Sequence, residues 1–421
     1  MKKLVILVML FAQASYAQED TLNLFRCFEA VEAHHPGTEQ KPLIHQQTLL
    51  KLKNLKSEWY PSVDLNAQAS YQSDIVKIDI DMPFDADFPT PSRDQYKATL
   101  DVKQMIYDGG VSQASRETEQ VGERLQKQSV EVDLYQIKDQ VMEVYFGILL
   151  LNKHRAILET TVRELEEKHR TVKAAVDNGA LLPSDLKTLQ AEQLKLQQNM
   201  DEVESQIVSS YKILEQLTGL PVEPGTPLEL PSVEVKGPAK YQRPENTVYD
   251  LKTQQLKARQ EVIRSQKMPK ISAFGQFGYG KPGLNMLNDA FDTFYYVGAR
   301  LSWNIWDWNQ NKRERQINRL EREKVAVQEQ SFNKQVDVQL SRIKASVEHY
   351  RQALERDARI IQLRQDVTES AQSKLKNGVI TSSDYISDLN QLTQAQITHE
   401  RHKIELLKAK FNHLFTIGKI Q

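Results

Sequence analysis

One long stretch without proline decides the fold of this chain. It runs from Asp108 to Asn178 and reads DGGVSQASRETEQVGERLQKQSVEVDLYQIKDQVMEVYFGILLLNKHRAILETTVRELEEKHRTVKAAVDN. A second stretch of the same length, also without proline, runs from Asp307 to Asn377. Each predicts one unbroken helix of roughly 100 Å at 1.5 Å per residue, whereas the mean globular helix has about 11–12 residues. Two such rods suit a protein that builds a tube better than they suit an enzyme.

The apolar residues of the first rod repeat in steps of four and three, which is heptad spacing. They are Val130, Leu134, Ile137, Val141, Val144, Ile148 and Leu151. The last five recur 199 positions later, as Val336, Leu340, Ile343, Val347 and Tyr350. The other faces are charged, so each rod is expected to pack along this seam against shorter helices at about 39–58, 185–217, 245–267 and 384–415.

The chain consists of two copies of one pattern. At an offset of 199, Tyr96 matches Tyr295, Asp108 matches Asp307, and Asn178-Gly179 matches Asn377-Gly378. Each copy reads helix, strand, loop, strand, long helix, tip turn, shorter helix. This predicts a first repeat at 18–220, a proline-rich linker or strap at 221–243, and a second repeat at 244–421, with the rods at about 109–177 and 308–376.

The N-terminus has the pattern of an export signal. Two lysines precede an apolar run and the small-x-small triplet Ser15-Tyr16-Ala17, which predicts a signal peptide at 1–17. Cys27, the single cysteine, lies ten residues past the predicted cut and is expected to be a small buried residue on a helix. A net charge of −1 gives no basic footprint for nucleic acid.

Four strands are predicted, at about 61–72, 95–107, 269–280 and 293–306, because apolar and polar residues alternate there with period two. The charged residues of the polar face are Asp64, Lys97, Asp101, Lys103 and Arg300. Aromatic residues gather at the strand ends that lead to the helices: Trp59, Tyr60, Tyr107, Trp303, Trp306 and Trp308. This arrangement is typical of transmembrane strands with an aromatic girdle, although a soluble sheet with one wet face gives the same alternation. Since four strands cannot close a barrel, several copies must share one.

Taken together, these features resemble the TolC-type outer membrane efflux protein (outer membrane factor) family. The resemblance rests on the signal peptide, the duplicated strand–strand–long helix–hairpin order, and tips of the form Gly-x5-Asp at 179–185 and 378–384. It implies a mainly α fold with a membrane β-barrel part. In that fold a homotrimer contributes four strands per protomer to a shared 12-strand barrel, which continues into a long α-helical periplasmic tunnel.

The resemblance also implies a function. The protein would be the outer membrane channel of a tripartite efflux or type I secretion system, a passive exit duct in the outer membrane of a Gram-negative bacterium with a periplasmic extension. Its partners would be two further copies, a periplasmic adaptor protein, an inner-membrane pump of RND or ABC type, and outer membrane lipid. The substrate stays open between drugs, metal ions and proteins. The alternative is a soluble periplasmic adaptor, which also carries an export signal and heptads.

The family's tip turns dock on the adaptor and close the tunnel. The matching positions here are Gly179, Leu181, Ser184, Asp185, Gly378, Val379, Ser383 and Asp384. Glycine is expected to end each long helix, and serine or aspartate to cap the next one. A ring of Asp384 carboxylates, one per copy, would narrow the tunnel and favour cations. Because Ile380 replaces the family's arginine, apolar contacts are the other way to hold the tunnel end.

The sequence contains no catalytic or phosphate-binding motif, so no enzyme activity, cofactor or metal is expected. The acidic loop at 74–87 lacks the spacing of a known calcium loop and reads as a solvated loop. His34-His35 precedes Pro36 at a helix end, where dipole pairing is favoured over a metal pair.

Overall fold

A computed structural model describes residues 21–75, 90–233 and 241–420. The predicted signal peptide therefore lies outside the described residues, as does most of the acidic loop. The elements are α1 (Leu24–His34), a 3-10 turn (Pro36–Glu39), α2 (Gln40–Ser57), β1 (Ser62–Tyr71), β2 (Asp94–Tyr107), α3 (Val111–Asp177), α4 (Pro183–Thr218), α5 (Pro244–Ser265), β3 (Lys270–Lys281), β4 (Asp292–Ser302), α6 (Gln310–Lys376) and α7 (Ser382–Thr416). Within the described ranges, no helix combines the length and the apolar character needed to cross a membrane.

The two proline-free stretches each form a single helix, as the sequence predicts. The helices α3 and α6 have 67 residues each. An aspartate starts each one: Asp108 accepts hydrogen bonds from the backbone N–H groups of Gly110 (2.8 Å) and Ser112 (2.6 Å), and Asp307 accepts one from Asn311 (3.0 Å). The matched pair of aspartates therefore fixes the start of both rods.

The fold divides into two compact units, and each takes segments from both sequence repeats. The first unit consists of Met1–Glu39, Glu131–Pro244 and Asn333–Gln421, and the second of Gln40–Val130 and Glu245–Phe332. The long helices α3 and α6 contribute residues to both units. The repeats in the sequence and the compact units in the structure are thus different divisions of the chain.

The first unit buries a wider face of α3 than the heptad seam predicts. Met142, Tyr145, Phe146 and Leu149 are buried beside the seam residues Val141 and Ile148. The Tyr145 hydroxyl donates to the backbone carbonyl oxygens of Leu22 (2.8 Å) and Glu229 (2.6 Å). Residues 219–233 form neither helix nor strand, as expected for the strap, and Glu229 among them covers Tyr145. Phe146 packs instead on Phe411 of α7, with ring centroids 5.6 Å apart. Cys27 is fully buried on α1, and burial raises the pKa of its thiol to about 12.

The second unit holds an antiparallel sheet in the order β1-β2-β3-β4. Three of the strands lie within two residues of their predicted bounds. The fourth was predicted to reach residue 306 but ends at Ser302, which pairs with Lys270. The residue before Lys270 is Pro269, which has no backbone N–H to continue the ladder. Trp303 and Trp306 therefore follow the strand and are not part of it.

Candidate functional site

The two tip turns, residues 178–182 and 377–381, share one backbone geometry. Gly179 has φ = +72° and Gly378 has φ = +69°, in the left-handed region that suits glycine. In the first turn the N–H of Ala180 donates to the Ala175 carbonyl at 2.8 Å, and in the second the N–H of Val379 donates to Lys374 at 2.9 Å. This is a Schellman end to each long helix, and it confirms the predicted role of both glycines.

Asp185 connects the two turns. It is only 8% exposed, and its Oδ2 accepts a hydrogen bond from the backbone N–H of Leu182 at 3.2 Å, which caps α4. Its Oδ1 accepts a second bond from the backbone N–H of Ser382 at 2.9 Å, at the first residue of α7. One buried carboxylate thus caps its own helix and binds the start of the neighbouring hairpin arm. The sequence predicts the cap but not this second bond.

Asp384 forms a capping box at the start of α7. Its carboxylate accepts from the Thr381 backbone N–H (3.0 Å) and hydroxyl (2.7 Å), and its own N–H donates to the Thr381 hydroxyl at 3.3 Å. These bonds from Thr381 hold the pKa of the exposed Asp384 carboxyl below its usual value. Of the residue types expected to cap, the aspartates do so, while Ser184 and Ser383 lie exposed beside them. This geometry confirms that Asp384 caps α7. The role of Asp384 as a tunnel constriction stays a prediction.

The tips expose apolar side chains among polar ones. Val379 is 69% exposed and Leu182 67%, and Leu181 and Ile380 are half-buried. Behind them, Leu375 is buried. The expectation that apolar contacts hold the tunnel end in place of a salt bridge stays a prediction.

A polar layer joins α3 and α7 behind the tips. Tyr385 is fully buried, and its hydroxyl donates to Glu164 at 2.9 Å. Burial, the largest cause, and the neighbouring Glu164 carboxylate raise the pKa of Tyr385 well above its usual range. Further from the tips on the same two helices, the hydroxyls of Thr161 and Thr393 lie 3.2 Å apart. Sequence reasoning missed these pairs, because nothing in the heptad pattern marks Tyr385 or Glu164 as partners.

The strand register brings the predicted charged residues onto one face of the sheet. Asp64 lies directly opposite Asp101, Lys103 opposite Ser62, and Lys97 opposite Gln68. Residues directly opposite in an antiparallel pair share a face, and the same counting through β3 adds Arg300 to it. Asp101 is the centre of this face, because it accepts hydrogen bonds from Asn66 (2.6 Å), Thr99 (3.0 Å) and Gln276.

Aromatic rings on the same face were not predicted. Phe274 stands opposite Gly298, and Phe294 stands opposite Gly278. The cationic groups of Arg300 and Lys97 lie over these rings, at 5.4 and 5.3 Å from the centroids. The available signal was the glycines within the strands, since a strand glycine often marks a close approach by another group.

The aromatic residues at the strand ends that lead to the helices are largely exposed. Trp303 is 56% exposed, Trp306 69% and Trp308 77%, and Tyr60 and Tyr107 are 57% and 45% exposed. Trp59 is half-buried. The Trp303 indole N–H donates to the Lys267 carbonyl at 3.1 Å. Their role as a membrane girdle stays a prediction.

Metal ligation finds no support in the part of the chain that the structure describes, where no group of three or more His, Cys, Asp or Glu residues is arranged to hold an ion. His34 occupies the last turn of α1, as expected, and His35 Nδ1 accepts a hydrogen bond from the Gly37 N–H at 3.1 Å. Of the acidic loop's aspartates, Asp74 alone falls within the described residues.

Comparison with known proteins finds a family model that matches part of the chain. Residues 47–220 match the model of the outer membrane efflux protein family. This chain contains an outer membrane efflux protein domain. The resemblance seen in the sequence is therefore confirmed. No curated protein matches the sequence.

Solved structures show a likeness of fold over nearly the whole chain. The CmeC outer membrane channel of Campylobacter jejuni gives a TM-score of 0.69 at 15% identity, over 95% of this chain and 86% of that one. CusC, solved in a study of transmembrane channel formation, gives 0.72 at 13% identity, over 94% and 91%. The outer membrane protein VceC of Vibrio cholerae gives 0.66 at 12% identity, over 94% and 96%. At these identities the likeness is one of fold, and it confirms the predicted TolC-like fold class.

Proposed function

We propose that this efflux protein is a passive exit duct in the outer membrane, assembled from three copies and extended into the periplasm. The observation that carries the proposal is the two-sided sheet combined with two matched tip turns. The five predicted charged residues share one face, and the opposite face holds apolar side chains that are exposed in the single chain, such as Leu65 (78%), Tyr295 (73%) and Val297 (77%). In a barrel the first face lines the lumen and the second contacts lipid.

The sheet of one chain is incomplete in this proposal. β1 and β4 form its two edges, and unpaired backbone groups are not tolerated in lipid. Edge pairing between three copies closes a 12-strand barrel with no free edge. The trimer number follows the TolC-type resemblance, and the need for further copies follows from the edges.

The tip turns form the periplasmic end of the duct in this proposal. A periplasmic adaptor docks on the exposed Val379 and Leu182, and an inner-membrane pump of RND or ABC type delivers substrate through it. The duct itself carries out no chemistry. The Asp185–Ser382 hydrogen bond holds the two turns of one copy together, so it sets how readily the end opens.

Single-channel conductance in a planar bilayer tests the proposal. Purified wild type is compared with Asp185→Ala, Asp384→Ala and the matched tip control Ser184→Ala. A small conductance in wild type and Ser184→Ala, raised in Asp185→Ala, is the expected result. Loss of cation selectivity in Asp384→Ala would add the carboxylate ring to the closing mechanism, and unchanged selectivity would leave Asp384 as a helix cap.

The rival function predicts a different outcome. A soluble periplasmic adaptor stays in solution without detergent and does not insert into the bilayer. Protein that fractionates with the soluble periplasm and gives no conductance at any concentration would overturn the duct and favour the adaptor.

A further inference from the structure

A basic groove runs along the first turns of α6, on the second compact unit. It has a volume of about 690 Å³, and its cationic lining residues are Lys312, Arg315, Arg319 and Arg322. The one carboxylate in the lining, Glu323, is bound by Arg319 Nε at 3.1 Å. The groove therefore has a large excess of positive charge.

The cations of the groove are poorly neutralised by the protein. Arg322 donates from Nη2 to the neutral Gln260 side chain at 2.9 Å, and its buried Nε has no hydrogen-bond partner among the described residues. Over the same described ranges, Lys312, Arg315 and Arg322 form no ion pair. Lys312 and Arg315 are exposed, so their donors are open to an anionic ligand in the groove.

The sequence repeat shows that the fold does not require this charge. Residues 310–324 contain six basic and three acidic residues, whereas the matching residues 111–125 contain two basic and three acidic. Gln113, Gln120 and Glu123 stand where the second repeat has Lys312, Arg319 and Arg322. Both segments form the same part of a 67-residue helix. Four of the six basic residues in this part of α6 line the groove, and their charge points to an anionic ligand.

The position of the groove indicates which anion. α6 begins eight residues after the end of β4, and the exposed Trp306 and Trp308 lie between them. From Lys312 to Arg322 the helix rises only about 15 Å. If the strands span the outer membrane, as the proposed function requires, this end of the sheet lies at the level of the lipid headgroups. Basic clusters next to a membrane attract anionic headgroups, and arginine binds phosphate through two parallel hydrogen bonds.

We propose that the groove lined by Lys312, Arg315, Arg319 and Arg322 binds the phosphate of an anionic phospholipid headgroup. Arg322 and Arg315 supply donors to the phosphate oxygens, and Lys312 adds a flexible cation. The bound headgroup fixes the first turns of α6 to the membrane surface. The inference rests on the proposed membrane location, but its chemistry can be measured separately.

The test is lipid binding by the full-length protein in a non-ionic detergent. Water-soluble dihexanoyl-phosphatidylglycerol is titrated into the protein, and binding is followed by the change in tryptophan fluorescence. Dihexanoyl-phosphatidylcholine and inorganic phosphate are the comparators. Wild type is expected to bind the phosphatidylglycerol at least fivefold more tightly than the phosphatidylcholine. This preference should weaken as the salt concentration rises. The variant Lys312→Gln/Arg319→Gln/Arg322→Gln should lose that preference.

Two further variants keep the test decisive. Arg116→Gln/Arg124→Gln removes positive charge from the matching part of α3 and should bind lipid like wild type. Arg315→Gln changes an exposed side chain and should weaken binding severalfold even if the triple variant does not fold. Three outcomes would each overturn the lipid site. The lipid preference could be unchanged in both Arg315→Gln and the triple variant, it could be lost equally in the α3 control, or inorganic phosphate could bind as tightly as the phosphatidylglycerol. The binding assay does not depend on conductance. A folded protein that prefers phosphatidylglycerol but forms no channel would therefore refute only the proposed duct.

Discussion

The Asp185 carboxylate accepts a hydrogen bond from the backbone N–H of Ser382 at 2.9 Å, and this bond ties the α3–α4 turn to the α6–α7 turn. Both residues are buried, and the Ser382 hydroxyl is itself buried without a partner in the described structure. The donor is a backbone N–H, so any residue except proline at position 382 can make this bond. This contact between the two turns therefore does not involve Ile380, the position where the TolC-type resemblance implies an arginine.

Replacing Asp185 by alanine should loosen the tips. The change leaves the N–H of Ser382 buried without an acceptor and removes the cap at Leu182, at a cost of about 1.5–3 kcal/mol for a charge-assisted hydrogen bond. We expect a lower thermal midpoint of the detergent-solubilised protein and faster hydrogen exchange at Ser382. Ser184→Ala, one residue away and exposed, should behave like wild type. Equal exchange at Ser382 in all three proteins would contradict the link.

Acid should weaken the start of α7 through Asp384. Its pKa is lowered by the bonds from Thr381, so the folded state favours the carboxylate. The stabilisation is then full above the unfolded pKa of about 3.9 and is lost as the pH falls through the lower, folded value. We expect Asp384→Asn to melt below wild type at pH 7, and the gap in melting temperature to close towards pH 3. A gap that is constant across this range would show that the charge is not what stabilises the cap.

The start of α3 should depend on Asp108 in a similar way. Burial raises the pKa of this carboxyl, but hydrogen bonds from Ser112 and Gly110 outweigh burial and leave the pKa below its usual value. Its contribution is accordingly present above the unfolded pKa and lost as the pH falls through the folded one. Asp108→Asn leaves one acceptor oxygen where the carboxylate has two, so it should cost about 1 kcal/mol at neutral pH, the net value of one hydrogen bond. Differential scanning calorimetry at pH 7 and pH 3 checks this, and Asp133→Asn, on an exposed mid-helix position of α3, is the control.

The sequence predicts those features of this fold that depend on local pattern. Proline-free runs, Gly179 and Gly378, and period-two strands are set by nearby residues, so the rods, the tip turns and the shared face of Asp101 and Arg300 are all found where they were expected. The feature it misses is pairing between distant segments. The bond from Asp185 to Ser382 joins residues 197 positions apart, and no composition or periodicity identifies such partners.

The core of the first unit illustrates the same limit. The heptad seam correctly marks Leu134 and Val141 as buried, but it treats the adjacent Tyr145 as outside the seam. Tyr145 is buried because Leu22 and Glu229 bring irregular chain over that side of α3 and accept its hydroxyl. A proline-rich strap has no periodicity, so its resting place cannot be worked out from the pattern of the helix beneath it.

Gly278 lies on the polar sheet face at a position where a side chain should displace the Phe294 ring. A Cβ there would lie 2.2 Å from the ring of Phe294, so the ring must leave its site and its contact with Lys97. Overpacking of this kind costs about 1–3 kcal/mol. Gly275→Ala is the matched control, because its Cβ would meet Val297 at an ordinary 3.5 Å on the opposite face of the same strand. We expect Gly278→Ala to lower the thermal midpoint by several degrees while Gly275→Ala stays near wild type, and equal midpoints would mean that Phe294 does not rest on Gly278.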